Sequence, residues 1–141
     1  MYKKLRSILT SVFLTLSATA ALAYSPESPY VHTVGNYVYK IEINASEETG
    51  NASIVDVKPG YVPSGEITIP GSVTIDGTKY TVTQIGENYN SLYWFDYVPV
   101  FKDFTEITRV NISSPLETIG GREFEGCSGI NEFHVNAASK Y

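Results

Sequence analysis

Alternating apolar positions dominate the first half of this chain and predict β-strands. Every second residue between 37 and 43 is apolar, which is the period of two expected for a strand with one buried face: Tyr37, Tyr39, Ile41 and Ile43. A polar turn at 47–51 and a β-branched run at 52–57 come next. The two runs therefore predict an antiparallel hairpin.

A second hairpin is predicted around Asp76-Gly77, which separates the alternating runs 73–75 and 80–82. Asp-Gly is favoured where a tight turn needs positive φ. No window of the chain shows a long apolar period of 3.6 residues, so any helices should be short. These patterns together predict a mainly β fold.

Three short strand candidates in the rest of the chain share one pattern, and they lie at 66–70, 109–113 and 132–136. The first two are 43 residues apart and the last two 23. Ile-Gly also recurs, at 85–86 and 119–120, upstream of the second and third candidates. The interval from Ile-Gly to strand is 11 residues longer in the first instance, which indicates an insertion. Self-similarity of this kind predicts a repeat architecture.

The segment 119–130, running into 133–135, resembles the BspA-like leucine-rich repeat. That family repeats a pattern of the type I-G-x-x-A-F-x-x-C-x-x-L-x-x-(V/I)-x-(I/V)-P every 23 residues. The resemblance extends from Tyr37 to the C-terminus. The chain departs from the pattern at Glu123, where the family has Ala, and at Ile130, where it has Leu.

The resemblance implies a short, right-handed leucine-rich repeat solenoid with parallel strands and an N-terminal β-hairpin cap. It also implies exported or surface-attached recognition, such as adhesion to host matrix proteins, host cells or other bacteria. Phe124, Cys127 and Ile130 are three residues apart, a spacing that turns one side of a 3₁₀-like arc inward. Cys127 is therefore expected to be a small buried residue rather than a nucleophile.

The first 23 residues have the features of a secretory signal peptide. An apolar stretch at 8–16 is preceded by a basic segment and followed by the small-x-small site Ala21-Leu22-Ala23. The apolar stretch is shorter than the roughly 20 residues of a membrane-spanning helix. We therefore expect a secreted, periplasmic or cell-surface protein beginning near Tyr24, without membrane insertion after cleavage. The predicted domain organisation is a signal peptide at 1–23, a lead-in segment at 24–36, a hairpin cap at 37–65, and a repeat region at 66–141 with an aromatic insertion at 87–106.

The composition and net charge exclude several classes of partner and site. The chain has 141 residues, 43% of them hydrophobic, which suits one modest domain. Three of the ten basic residues lie in the signal peptide, so seven remain against fifteen acidic ones, a net charge of −8. Such a chain repels phosphate backbones and anionic membranes, so we expect no nucleic-acid partner. Cys127 is the only cysteine, which excludes an internal disulfide and a multi-thiolate zinc site.

Catalytic and metal-binding motifs are missing from the sequence. The two histidines, His32 and His134, stand in no His-x-x-x-His arrangement, and there is no Gly-x-Ser-x-Gly elbow. A chance pair among the carboxylates would be needed for a carbohydrate-active enzyme. We therefore predict a protein that is not an enzyme and that needs no cofactor or metal.

Two sets of residues are candidates for ligand binding. Aligning the three strand candidates in register gives two outward rows, one of Glu66, Arg109 and Glu132 and the other of Thr68, Asn111 and His134. The first row predicts a salt-bridge ladder that fixes register, and the alternative interpretation is a recognition strip on the concave face. The second set belongs to seven aromatic residues between 89 and 104, which either fill the core or form an exposed platform. The ligand-binding candidates are Tyr93, Trp94, Tyr97, Arg109, Asn111 and His134.

Three classes of function remain after these arguments. The first is an adhesion-type module that binds a protein or a glycan. The second is a structural or assembly protein, because the chain stops soon after a repeat strand without a recognisable cap, and an open strand edge can pair with another chain. That hypothesis predicts a homo-oligomer through residues 132–141. The third, an enzyme, would need a deep pocket with perturbed carboxylates.

Overall fold

The structure, a computed structural model, describes residues 30–42, 50–86, 98–113 and 115–135. Within these ranges the chain forms strands and turns without a helix, which confirms the mainly β prediction. Accordingly, no helix in this part of the chain is long and apolar enough to span a membrane. The strands are β1 Val31–Val34, β2 Tyr37–Glu42, β3 Asn51–Val57, β4 Gly65–Ile69, β5 Ser72–Ile75, β6 Thr78–Ile85, β7 Ile107–Ile112, β8 Thr118–Ile119 and β9 Glu132–Val135.

The first sheet has the order β1-β2-β3-β6-β5, with β8 pairing β6. Both predicted hairpins are present, because β2 pairs antiparallel with β3, and β5 antiparallel with β6. The turn between β5 and β6 consists of Asp76 at φ 50° and Gly77 at φ 83°. Positive φ at both central residues matches the right-handed twist of the flanking strands, and this is why Asp-Gly closes the hairpin.

The lead-in predicted at 24–36 is wrong in its last part, because Val31–Val34 is strand β1. This strand pairs antiparallel with β2 across a tight turn at Gly35, whose φ is 60°. The amide of Ile41 also bonds the carbonyl of Tyr30 at 2.8 Å. The two prolines that suggested a loose segment, Pro26 and Pro29, precede the strand and lie outside the described residues.

The second sheet has the order β4-β7-β9, and both of its strand pairs are parallel. Its register aligns Glu66 with Arg109 and Arg109 with Glu132. It also aligns Asn111 with both Thr68 and His134. The two outward rows predicted from the repeat are therefore the rows observed.

The recurring Ile-Gly pairs occupy neighbouring positions in the first sheet. Ile85 lies beside Ile119 in the parallel pair β6–β8, and the amide of Gly120 bonds the carbonyl of Ile85 at 2.8 Å. Ile54 on β3 lies beside Ile85 in the same way, and the amide of Gly86 bonds its carbonyl at 2.8 Å. Ile54 is thus an earlier member of the series that lacks the Ile-Gly signature. Through the β3–β6 pair, the hairpin cap and the repeat region share one sheet.

The core takes apolar side chains from both sheets and is crossed by a row of aromatic rings. The row runs in the order Tyr39, Tyr37, Phe101, Phe124 and Phe133. Its successive ring centroids are 6.4, 5.9, 5.0 and 5.4 Å apart. Offset-stacked and edge-to-face contacts at such distances add to the burial energy of each ring. The row links the N-terminal strands to the last strand.

The arc before β9 has the predicted geometry. The amide of Cys127 bonds the carbonyl of Phe124, and the amide of Ile130 bonds the carbonyl of Cys127, both at 3.2 Å. Cys127 is 8% exposed, as expected, and its thiol donates a hydrogen bond to the carbonyl of Phe101 at 2.6 Å. Burial raises the pKa of this thiol. Cys127 is thereby held as a neutral packing residue.

Candidate functional site

The outward rows of the second sheet form a surface that we call the polar face, and the alternation of β4 shows how it arises. Ile67 and Ile69 point into the core and are almost fully buried, whereas Glu66 and Thr68 between them are exposed. Successive side chains of a strand point to opposite faces, so buried isoleucines place polar residues outside. The members of the polar face are Glu66, Thr68, Arg109, Asn111, Glu132 and His134.

Arg109 lies at the centre of the polar face and joins all three strands. Its Nη1 is 3.2 Å from Oε2 of Glu66. Its Nε and Nη2 lie 2.7 and 2.6 Å from Oε2 of Glu132. The pKa of Arg109 is raised by the hydrogen bond and charge of Glu132, with a smaller contribution from Glu66. A guanidinium offers several donors in a fixed fork, so one side chain can bridge two carboxylates.

The second row is hydrogen-bonded to the first. The side-chain amide of Asn111 donates to Oε1 of Glu66 at 2.6 Å, and Nε2 of His134 contacts Oε1 of Glu132. The pKa of Glu132 is lowered, first by the hydrogen bond from His134 and then by that from Arg109. The three candidates Arg109, Asn111 and His134 therefore belong to one network, while Tyr93, Trp94 and Tyr97 lie outside the described residues.

Two aromatic residues of the predicted insertion lie within the described chain, and both contact the core. Phe101 is fully buried between Tyr37 and Phe124. Phe104 is partly buried against the same cluster. For these two residues the core-filling interpretation holds. The other five aromatics of the set, at 89–97, lie outside the described residues.

Glu123 is a buried carboxylate that the sequence analysis noted only as a departure from the family pattern. It is 2% exposed, and its Oε2 accepts a hydrogen bond from the amide of Val100 at 2.7 Å. Its own carbonyl accepts the amide of Phe101 at 3.0 Å. Oε1 is buried without a hydrogen-bond partner. Burial raises the pKa of Glu123 to about 7, against a smaller opposing effect of the Val100 amide.

Glu123 therefore anchors the end of the insertion to the arc before β9. Two backbone amides of the segment that carries Phe101 are bound by this one residue. No cluster of three or more potential metal ligands occurs among the described residues, so the carboxylate has no metal-binding set around it there. Its position favours a structural role over a catalytic one.

A groove of about 600 Å³, which we call the tyrosine groove, lies beside the polar face. Its lining comes from the β1–β2 turn, β2, the loop before β4, and β4 and β5. Glu66 and Thr68 belong both to this groove and to the polar face. The full lining is Val34, Gly35, Asn36, Tyr37, Tyr39, Tyr61, Glu66, Ile67, Thr68, Pro70, Ser72, Val73 and Thr74.

The groove residues Asn36, Tyr61 and Thr74 are not among the candidates predicted from the sequence. Segments that are separated along the chain contribute to the groove, and the fold brings them together. A weak signal was available, because Asn36 and Tyr61 lie next to glycines, where tight turns bring distant segments together. Nothing in the spacing of these residues along the chain indicates that they share a site.

The chain is similar to solved leucine-rich repeat proteins. One is from Bacteroides capillosus, with a TM-score of 0.56 and 23% identity over 76% of this chain and 66% of that chain. Another, from Bacteroides ovatus, has a TM-score of 0.53 and 20% identity over 77% of this chain and 24% of that chain. A leucine-rich cell surface protein from Faecalibacterium prausnitzii has 26% identity over 77% of this chain and 31% of that one, with a TM-score of 0.45.

The similarities to the two Bacteroides proteins show that the chain has the fold of leucine-rich repeat proteins, as the resemblance predicted. The chain spans just under two thirds of the length of the first of these proteins and about a quarter of the second. No protein-family model matches the sequence, and no curated protein matches it. The fold is thus identified by its three-dimensional shape.

Proposed function

We propose that this chain is an exported, non-catalytic recognition protein that binds a protein or a glycan at or outside the bacterial cell surface, in the manner of an adhesin. The observation that carries the proposal is the polar face. The side chains of Glu66, Arg109, Glu132 and His134 are 55, 41, 40 and 53% exposed, although they form one hydrogen-bonded network. A preordered and accessible polar surface binds a partner without first losing side-chain entropy.

Two further features support recognition rather than catalysis. The leucine-rich repeat fold places parallel strands side by side, which generates extended surfaces used for binding. The pKa of Glu132 on the polar face is lowered by the hydrogen bonds from His134 and Arg109, whereas a catalytic acid needs a raised pKa. Export rests on the signal peptide predicted at 1–23, and the right-handed solenoid on the family resemblance.

A binding screen tests the proposal. The full chain is expressed in a bacterial host, the exported protein is purified, and extracellular matrix proteins and glycans are screened by biolayer interferometry. The variant Arg109→Ala removes the centre of the polar face. The matched control is Arg122→Ala, which removes an exposed arginine that pairs with Glu125 away from the second sheet.

We expect Arg109→Ala to lose binding to a partner that the wild type and Arg122→Ala both retain. Equal binding by both variants would show that the polar face is not the recognition surface. A wild-type protein that binds no matrix protein and no glycan, in this panel or at millimolar glycan concentration, would refute the recognition proposal. Circular dichroism of each variant separates loss of binding from loss of fold.

The second candidate is assembly, and the exposure of β9 favours it. Phe133 is 48% exposed and Val135 is 44% exposed, although both are apolar. β9 lies at one end of the second sheet, and an edge strand is a template for pairing with another chain. Residues 136–141 of the predicted interface lie outside the described residues.

Light scattering over a range of protein concentrations tests assembly. We expect a concentration-dependent dimer that Phe133→Lys and Val135→Lys each abolish. Val135→Lys should keep the circular dichroism spectrum of the monomer, because Val135 is exposed, and it is the control for Phe133→Lys, which also removes the ring contact with Phe124. A strictly monomeric wild-type protein at high concentration would remove this candidate.

A further inference from the structure

The tyrosine groove has a floor of buried phenols. Tyr37 and Tyr39 are 6 and 2% exposed, and their rings meet edge to face. The hydroxyl of Tyr37 donates to the backbone carbonyl of Thr68 at 3.0 Å. Burial raises the pKa of Tyr37 and raises that of Tyr39 to about 12, so both phenols stay neutral. The floor is therefore rigid and uncharged.

Tyr61 presents a more accessible ring to the same groove. It lies in the loop before β4 and is partly exposed, unlike the two floor tyrosines. Tyr61 lines the groove together with Tyr37 and Tyr39. A tyrosine ring with one end buried and one face accessible combines an apolar surface with a polar hydroxyl. Tyr61 thus supplies the ring on which a ligand can stack.

Hydroxyl and amide groups line the walls. Thr68 and Thr74 are exposed on β4 and β5, Ser72 is partly exposed, and Asn36 is exposed in the turn between β1 and β2. Hydroxyls and amides both donate and accept hydrogen bonds. The walls therefore suit a ligand whose groups also donate and accept hydrogen bonds, such as a polyhydroxylated molecule.

The groove carries almost no net charge. Glu66 is the one charged residue among the described lining residues. Its Oε1 accepts from Asn111 at 2.6 Å, and its Oε2 pairs with Arg109 at 3.2 Å. Because both oxygens of Glu66 already have partners, the carboxylate is not available to bind a cation, and its negative charge does not attract an anion. A neutral ligand fits this environment better than a charged one.

The backbone of β4 at the groove disfavours an extended peptide. Peptides that add to a sheet are held by main-chain hydrogen bonds to an exposed strand. The carbonyl of Thr68 already accepts a hydrogen bond from the hydroxyl of Tyr37, so a peptide strand would have to share or displace that bond. The volume of about 600 Å³ lies within the range of about 300–1,000 Å³ typical of small-molecule sites.

From these observations we infer that the tyrosine groove binds a neutral oligosaccharide. One apolar face of a sugar ring stacks on Tyr61, and its hydroxyls bond the side chains of Asn36, Thr68 and Thr74. The inference rests on the proposed recognition function and names the class of its ligand. It adds a site that shares Glu66 and Thr68 with the polar face.

Saturation-transfer NMR with defined probes tests the inference. The neutral probes are maltotriose, cellotriose, mannotriose and triacetylchitotriose at millimolar concentration, and trigalacturonic acid is the anionic comparison. The variants are Tyr61→Ala and Thr74→Val. Their controls are Tyr30→Ala, an exposed tyrosine outside the groove lining, and Thr108→Val, an exposed threonine on β7.

We expect at least one neutral probe to bind the wild type, and Tyr61→Ala to weaken it by about tenfold or more. Thr74→Val should weaken it by a smaller factor, and both controls should bind as the wild type does. Thr74→Val, at an exposed strand position, serves as the second variant if Tyr61→Ala fails to fold.

Three results would overturn the inference. They are the absence of binding by every neutral probe, binding of the uronic acid alone, and equal binding by the groove variants and the controls. The first result would leave the recognition function intact if a matrix protein binds in the Arg109 screen. Failure of both screens would refute the function together with its ligand class.

Discussion

Replacing Glu123 by glutamine isolates the free-energy cost of burying its charge. The carboxylate is 2% exposed, with one oxygen bonded to the amide of Val100 at 2.7 Å and the other without a partner. Glutamine has nearly the same shape, and its side-chain oxygen can accept the same hydrogen bond. The variant therefore removes the ionisation, and the cost of burying its amide nitrogen at the position of the unpartnered oxygen does not change with pH.

The sign of the effect follows from the raised pKa. Below pH 4.5, the ordinary pKa of the group, Glu123 is protonated in both the folded and the unfolded chain, and burial has no ionic cost. Between pH 4.5 and about 7 the unfolded chain ionises while the folded chain keeps its proton, so the free energy of unfolding falls. A pKa change from 4.5 to about 7 corresponds to about 3 kcal/mol.

The assay is urea unfolding followed by far-UV circular dichroism, at intervals from about pH 4 to about pH 8. We expect Glu123→Gln to gain stability relative to the wild type by about 3 kcal/mol as the pH rises through this interval. The control is Glu106→Gln, which makes the same charge change at an exposed position. Its difference from the wild type should vary little with pH.

Parallel stability curves for Glu123→Gln and the wild type would refute the reasoning, because they would mean that the carboxyl ionises as easily in the folded chain as in the unfolded one. A pH-dependent gain of equal size in Glu106→Gln would refute it as well. It would assign the effect to net charge rather than to burial.

Three further predictions concern the core and the arc. Phe101→Ala removes a fully buried ring stacked on Phe124, and we expect a loss of about 3–5 kcal/mol in urea unfolding, well above the loss for Phe104→Ala at a partly buried position. Gly126→Ala places a methyl group against Asp103, on a residue whose φ is 77°, so the melting temperature should fall by several degrees. Its control is Gly121→Ala, where the methyl group meets open space and the melting temperature should stay nearly unchanged. Cys127 should resist a thiol reagent such as DTNB in the native protein and react fully in urea, and rapid labelling of the native protein would contradict its burial.

The strand register of the second sheet could be predicted because the repeat carries it in the sequence. Glu66, Arg109 and Glu132 begin the same apolar-alternating pattern, and a one-residue slip would bury the whole polar row. The second hairpin was equally predictable, since Asp76-Gly77 supplies the positive φ values that the turn requires. Local chemistry specifies both features.

The tertiary relations of Ile54, Glu123 and Tyr61 could not be predicted in the same way. Ile54 aligns with Ile85 without an Ile-Gly signature, because a neighbouring strand rather than a local motif fixes its position. The burial of Glu123 depends on the Val100 segment, 23 residues earlier in the chain. Tyr61 and Tyr37 line the same groove although they are far apart along the chain. None of these three relations can be predicted from a short stretch of the sequence alone.

The path of the chain between its two sheets governs how the protein responds to a broken backbone. From β3 onward the chain passes to the second sheet at β4, returns for β5 and β6, and alternates again through β7, β8 and β9. A single cleavage in a connection between β4 and β8 therefore gives two fragments, neither of which contains a complete sheet. Each fragment supplies the missing hydrogen-bond partners of the other, so the halves are held together by the same pairs that hold the intact chain. We therefore expect a nick in one of these connections to leave both fragments associated under native conditions.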